Sequence, residues 1–187
     1  MAKLNILKAT FSLVKNEGIE KLSANNIAKE ANISKGGFFH HFPTIKDLHL
    51  YVINSMIQQY EQEVPITKYK TFKSYMKAAT DFTFIGMEQA PEMYALFFHF
   101  MSRIQHNKQF HQRLVQYMDV AFKDWGEKLN RFWDRPLSKS KLDTIIRMID
   151  MYFAGLSIHF SINPDKKKYL KVTNEFCEML DFHLKNL

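Results

Sequence analysis

A single cysteine, Cys177, among 187 residues rules out an internal disulfide and leaves nothing that points to an oxidising compartment. It lies in an apolar helical stretch and reads as a small core residue rather than a reactive thiol. Six glycines and five prolines are few. With no Ser/Gly-rich or Pro-rich tract and no internal repeat, flexible tethers and solenoids are excluded. No run of about 18 apolar residues occurs, so no membrane span is expected. Lys8 and Lys15 interrupt the N-terminal apolar residues before a signal-peptide core can form, and the expected location is the cytoplasm. Also missing are a glycine-rich phosphate loop, HExxH, CxxC and GxSxG, so neither catalysis nor a cofactor is expected. His99, His106, His111, His159 and His183 form no i, i+4 pair and have no cysteine beside them, so no metal site is expected.

What is present is a chain 46% hydrophobic and 24% charged, with a formal net charge of +7. That balance supports a real core and suits a polyanionic partner, nucleic acid before a membrane surface. The apolar residues recur at spacings of three and four almost throughout, which predicts an all-α fold. The first helix carries Leu4, Leu7, Phe11 and Val14 and stops at Gly18. Ser23 caps a short second helix, Ser34 a third that closes at Phe42-Pro43, and Thr44 a fourth that Pro65 breaks. Further helices are expected from Thr71 to about Gly86, from Pro91 to about Arg103, and from Lys108 to about Arg135-Pro136. Residues 139–161 carry two apolar stripes, one with Ile145, Ile149, Phe153 and Leu156, the other with Met148, Met151, Gly155 and Ile158. After the turn at Asn163-Pro164-Asp165, residues 166–185 offer Val172, Phe176, Leu180 and Leu184.

The most informative stretch is 22–42, two short helices joined by a three-residue turn. Ile27, Ala28, Ala31, Ile33 and Phe38 can pack the two helices together, and the small alanines permit close approach. That is what a helix-turn-helix needs so that its second helix can enter a major groove. Residues 1–48 carry seven lysines against four acidic residues.

The combination of Phe11, Gly18, Leu22-Ser23, Ile27-Ala28, Ala31-Asn32-Ile33-Ser34-Lys35-Gly36, Phe38-Phe39-His40-His41-Phe42 and Asp47-Leu48 resembles the TetR family of bacterial transcription regulators. The resemblance covers residues 4–50. It implies that residues 34–40 form the recognition helix, with Lys35, Gly37, Phe39 and His40 outward and His41 and Phe42 inward. Ser23 and Ser34 would sit at phosphates, beside the backbone of Gly36. Three departures stand out. Phe39 replaces the usual tyrosine, Gly37 removes a side chain from a position that often reads bases, and Ile45 replaces a lysine whose phosphate contact Lys46 is best placed to assume.

The resemblance also implies that the remaining helices bind a small effector and that the last two form a four-helix dimer interface. The expected division is a three-helix helix-turn-helix domain at 1–47 and a helical ligand-binding and dimerisation domain at 48–187. Most of the 17 phenylalanines and 10 methionines lie in the latter, which suits a lipophilic effector. Phe82, Met87, Phe97, Met101, Tyr117, Met118, Trp125, Met151 and Tyr152 are the candidate pocket residues. Ile145, Ile149, Phe153, Leu156, Val172, Phe176 and Leu180 are the candidate interface of a homodimer. The expected partners are therefore a palindromic DNA operator, a small hydrophobic effector and a second copy of the chain. The rival reading, which Gly37 and Ile45 favour, is a helical ligand-binding or interaction protein with a weakened DNA-binding end.

Overall fold

Local capping chemistry sets most of the helix ends. In a computed structural model describing residues 2–102 and 108–185, nine α-helices and no strand are found among the described residues. Helix α1, Ala2–Glu17, stops where Gly18 takes a φ of +86° and donates its N–H to the Val14 carbonyl at 3.0 Å. Ser23 and Ser34 cap α2, Ala24–Glu30, and α3, Lys35–His41, as their positions predict. Helix α4 runs Ile45–Glu63. Helix α5, Phe72–Gln89, continues past Gly86, where the sequence pattern had it ending. The break falls at Ala90 because a residue preceding proline is pushed out of the helical region, and Pro91 then opens α6, Pro91–Ser102. The expected end of α6 at Arg103 lies outside the described residues.

Helix α7, Lys108–Leu129, gives way to a 3₁₀ turn at Asn130–Phe132, earlier than the Arg135-Pro136 stop expected. Asn130 takes over there, its side-chain carbonyl accepting the Leu137 N–H at 3.0 Å. Ser138 caps α8, Lys139–Ile162, and the Asp165 carboxylate caps α9, Lys166–Lys185, by accepting the Lys168 N–H at 3.0 Å. The 3₁₀ turns at Ile19–Lys21 and Ile66–Lys68 were not foreseen, since three residues are too few to show a period.

By compactness the chain divides into one unit of Met1–Gln59 with Ala90–Leu114 and another of Tyr60–Gln89 with Val115–Leu187. The packing therefore does not separate at the expected boundary of 47 and 48. The reason is α6, whose Leu96 and Phe100 are buried in the same core as Ile6, Leu13, Ile27, Phe38, Leu48 and Val52. In the second unit, Phe72, Tyr75, Met76 and Ala79 of α5 meet Ile145, Ile146 and Ile149 of α8 and Cys177 and Leu180 of α9. Phe84, Leu156 and Phe160 form a smaller cluster, with Phe84 and Phe160 stacked at 4.5 Å.

This arrangement corrects the stripe chosen for the subunit interface. Ile145, Ile149, Leu156 and Leu180 are buried inside the protomer, and Phe153 and Phe176 are half-buried there; of that set only Val172 is exposed. Helix α5 covers that stripe. The other stripe faces outward, with Met148, Met151, Ile158 and Ile162 on α8 and Val172, Met179 and Phe182 on α9. By length and composition alone α8 is apolar enough to cross a bilayer. Its core stripe is instead occupied by protein, and Arg147 on its surface pairs with Asp143 and Asp119.

Candidate nucleic-acid interface

The turn between α2 and α3 is held by backbone and side chain together. Ile33 donates its N–H to the Ala28 carbonyl at 2.9 Å, and Asn32 donates to Lys29 at 3.0 Å. Asn32 has a φ of +54°, a left-handed conformation that asparagine tolerates better than most residues. From α1, the Asn5 amide donates to the Ala31 carbonyl at 3.1 Å, and the Ser12 hydroxyl donates to Glu30 at 2.6 Å. The end of α2 is thereby fixed to α1.

Ser23 accepts from the Asn26 N–H at 3.3 Å and Ser34 from the Gly37 N–H at 3.0 Å. Each hydroxyl keeps its own proton as a donor while capping its helix. Phe38 is fully buried beneath α3, with Phe42 5.9 Å away and also buried. Above this base, Lys35, Gly36, Phe39 and His40 are exposed, and Gly37 is half-buried. Phe39 stands edge-on to Phe38 at 5.3 Å, so its outward ring is braced by an inward one. His41 is half-buried rather than enclosed and meets the His40 ring at 5.1 Å.

A Cβ built on Gly36 would lie 3.8 Å from the Ser34 hydroxyl. One on Gly37 would lie 3.4 Å from that hydroxyl and 3.7 Å from Ile33. Packing therefore does not demand glycine at either position, and the bare surface exposes backbone at the start of α3. An open groove of about 600 Å³ runs alongside, lined by Asn25, Ala28, Lys29, Asn32, Ile33, Ser34 and Lys35. Asn25, Lys29 and Asn32 were missed in the sequence. The signal was the i, i+4 spacing of Asn25 and Lys29 along the polar side of α2.

At the start of α4, Ile45 packs against the first core and Lys46 is half-buried beside it. Asp47 accepts from the Thr44 N–H at 2.9 Å and the Thr44 hydroxyl at 2.7 Å, and its own N–H donates back to that hydroxyl at 3.3 Å. This is a reciprocal capping box. Arg113 donates to the other Asp47 oxygen at 2.7 Å. Burial raises the Asp47 carboxyl, but the hydrogen bonds from Arg113 and Thr44 outweigh it and hold the group below its ordinary value.

The expected pocket residues are distributed more widely. Phe97 and Met101 belong to the first unit and are half-buried, whereas the other seven belong to the second. Met151 is 65% exposed on the outer face of α8, which takes it out of any interior pocket. Met87 packs on the small cluster, and Phe82, Met118, Trp125 and Tyr152 on the larger core. Phe82 and Trp125 flank Tyr60 at 5.6 and 6.0 Å between ring centroids.

The polar groups here escaped the sequence reading. The Tyr60 and Tyr75 hydroxyls are 2.5 Å apart. Glu61 accepts from Trp125 Nε1 at 3.1 Å and from Lys128 at 2.9 Å. Burial pushes the Tyr60 phenol well above its usual value and that of Tyr75 up to about 12. A second hydroxyl group joins Tyr152 to Thr173 at 2.5 Å and Thr173 to Thr80 at 3.2 Å. Among the described residues no three His, Cys, Asp or Glu side chains gather as metal ligands would; His106 lies outside them.

Residues 6–52 match the family model described as bacterial regulatory proteins, tetR family. Solved structures share the fold over nearly the whole chain. A TetR-family transcriptional regulator from Streptomyces coelicolor superposes with a TM-score of 0.67 at 17% identity, covering 100% of this chain and 99% of its own. A regulator from Aquifex aeolicus VF5 gives 0.66 at 18% identity, covering 96% and 99%. A protein from Saccharomonospora viridis, described as a transcriptional regulator in complex with choline, gives 0.68 at 14% identity, covering 95% of each chain. At these identities the likeness establishes the fold. No curated protein matches the sequence.

Proposed function

We propose, proceeding from the match of residues 6–52 to the tetR family model, that this chain is a cytoplasmic, dimeric repressor that a small lipophilic effector releases from a palindromic operator. The observation that carries the reading is the outward set Lys35, Gly36, Phe39 and His40 on a helix whose inward side, Phe38, is fully buried. A protruding helix of this kind fits the major groove. Lys35 is suited to a guanine edge and the Phe39 ring to a thymine methyl. Ser23, Ser34 and the amide end of α3 at Gly36 and Gly37 are suited to phosphates, with Lys46 in place of the lysine absent at 45.

Two recognition helices must be spaced about 34–36 Å apart to read successive major grooves, which requires a two-fold partner. The outward apolar residues of α8 and α9, Met148, Met151, Ile158, Ile162, Val172, Met179 and Phe182, support a second copy as that partner. Phe82 and Trp125 around Tyr60, with Met118 on the same core, support an effector with aromatic or aliphatic bulk. Choline bound to one structural neighbour is consistent with recognition by aromatic faces. The effector would act by binding more tightly to a conformation unsuited to DNA, shifting the population away from the operator.

The test is a mobility-shift assay on duplexes selected from a random pool, with a salt titration. Regulation through DNA predicts a sequence preference and an affinity that falls steeply with salt. No binding at low salt, or equal affinity for scrambled duplex, would leave the helical ligand-binding or interaction protein as the reading.

A further inference from the structure

We propose that Arg113 is a positioning residue for DNA binding, acting through Asp47 to fix the start of α4 and, with it, the end of the recognition helix. The proposal rests on the DNA-binding reading above. Only Phe42, Pro43 and Thr44 separate α3 from α4. Phe42 is buried, and Pro43 has a restricted φ, so a displacement of the α4 cap passes to α3 with little slack.

The Asp47 carboxylate divides its two oxygens between near and distant partners. One oxygen closes the Thr44 cap, and the other takes the Arg113 guanidinium from 66 residues away. Its side chain is 22% exposed, whereas in the other ion pairs among the described residues both partners are at least 37% exposed. The sheltered carboxylate strengthens the charge-assisted bond, while the Arg113 guanidinium that reaches it stays open to solvent.

Arg113 is itself held in place. Phe110 and Leu114, three residues before and one after it on α7, are both buried. The Phe110 ring meets His49 of α4 edge-on at 6.0 Å, and His49 stacks on Phe100 of α6 at 3.7 Å. The stem of α7 is thus seated two residues along α4 from the very carboxylate Arg113 grips. The pair also neutralises Asp47, which stands next to Lys46.

The experiment compares wild type, Arg113→Ala, Arg113→Lys, Asp47→Asn and the double variant. Each is titrated by anisotropy with the best duplex selected by wild type and with a scrambled duplex, at several salt concentrations. Arg113→Ala is expected to lose about tenfold in affinity for the selected duplex, with the lysine variant recovering part of it. The slope of log affinity against log salt should stay at the wild-type value, because a positioning residue neutralises no phosphate. Combining Asp47→Asn with Arg113→Ala should cost no more than the greater single change. Thermal unfolding of each variant verifies that it is folded; the asparagine retains a capping oxygen, so Asp47→Asn provides the comparison should Arg113→Ala prove unstable. Unchanged affinity in the Arg113 variants would overturn the proposal. So would a slope reduced by about one, which marks a direct phosphate contact, or full additivity in the double variant. If wild type itself binds no duplex at low salt, the DNA-binding reading fails instead.

Discussion

The two units carry their candidate chemistry on opposite sides of the packing. In the first, Lys35, Phe39 and His40 stand outside a core that Phe38 and Phe42 close beneath them. In the second, the distinctive polar atoms are inside: Tyr60 with Tyr75, and Tyr152, Thr173 and Thr80 in a chain of hydroxyls. An outward face can change its contacts without disturbing the fold. An inward one cannot, because a buried hydroxyl that loses its partner bears the full cost of desolvation. Surface contacts and stability are therefore separable in the helix-turn-helix unit and coupled in the other.

Two neighbouring positions on α3 give the largest contrast. Phe38→Ala should destabilise the first unit by about 3–5 kcal/mol through lost burial and the cavity left behind, read by urea unfolding. His40→Ala should leave unfolding unchanged while lowering affinity for the selected duplex by about tenfold, a shift within the range of a single base contact. A fold loss at His40 would erase the distinction.

The next largest effect belongs to the second unit. Tyr75→Phe strands the Tyr60 hydroxyl and should cost about 1–3 kcal/mol. Both phenols titrate higher in the folded chain than the ordinary value near 10, so the folded state holds more protons above that pH. Their contribution is intact below about pH 10 and declines as pH rises towards 12. Unfolding measured across that range should show a flatter alkaline limb in Tyr75→Phe than in wild type.

On α8 the contrast lies between adjacent stripes. Met151→Lys should change protomer stability by no more than about 0.5 kcal/mol, since the side chain is largely in solvent. Sedimentation at micromolar concentration should nonetheless show it reduced to monomer mass. A dimer of unchanged strength would remove this face as the interface.

The smallest effect is at the cap of α4. Asp47 titrates below its ordinary value, so its contribution is present above about pH 3.9 and is lost as pH falls through the depressed folded value. Asp47→Asn should flatten that acid limb by less than about 1 kcal/mol, because Arg113 is open to solvent.

Where function depends on neighbours in the chain, the residues were readable. Ser23 and Ser34 cap helices through bonds three residues long, and Gly18 stops α1 through a bond to Val14. The outward order of α3 follows from its short helical period. Where function depends on distant partners, the residues were not. Nothing in the spacing of Tyr60 and Tyr75, or of Asp47 and Arg113, marks them as joined. On α8 the periodicity revealed two stripes without telling them apart, since both are apolar at helical spacing.

The sequence by itself determined an all-helical chain, its caps and a helix-turn-helix with an exposed recognition face, because those features arise from hydrogen bonds and periods spanning a few residues. Tertiary structure alone decided that α6 would join the helix-turn-helix unit and that α5 would cover the Ile145–Ile149 stripe and leave Met151 outside. It also decided that Arg113 would reach Asp47. Each of those outcomes depends on which apolar surfaces find one another, a choice that burial makes among many helices of similar hydrophobicity.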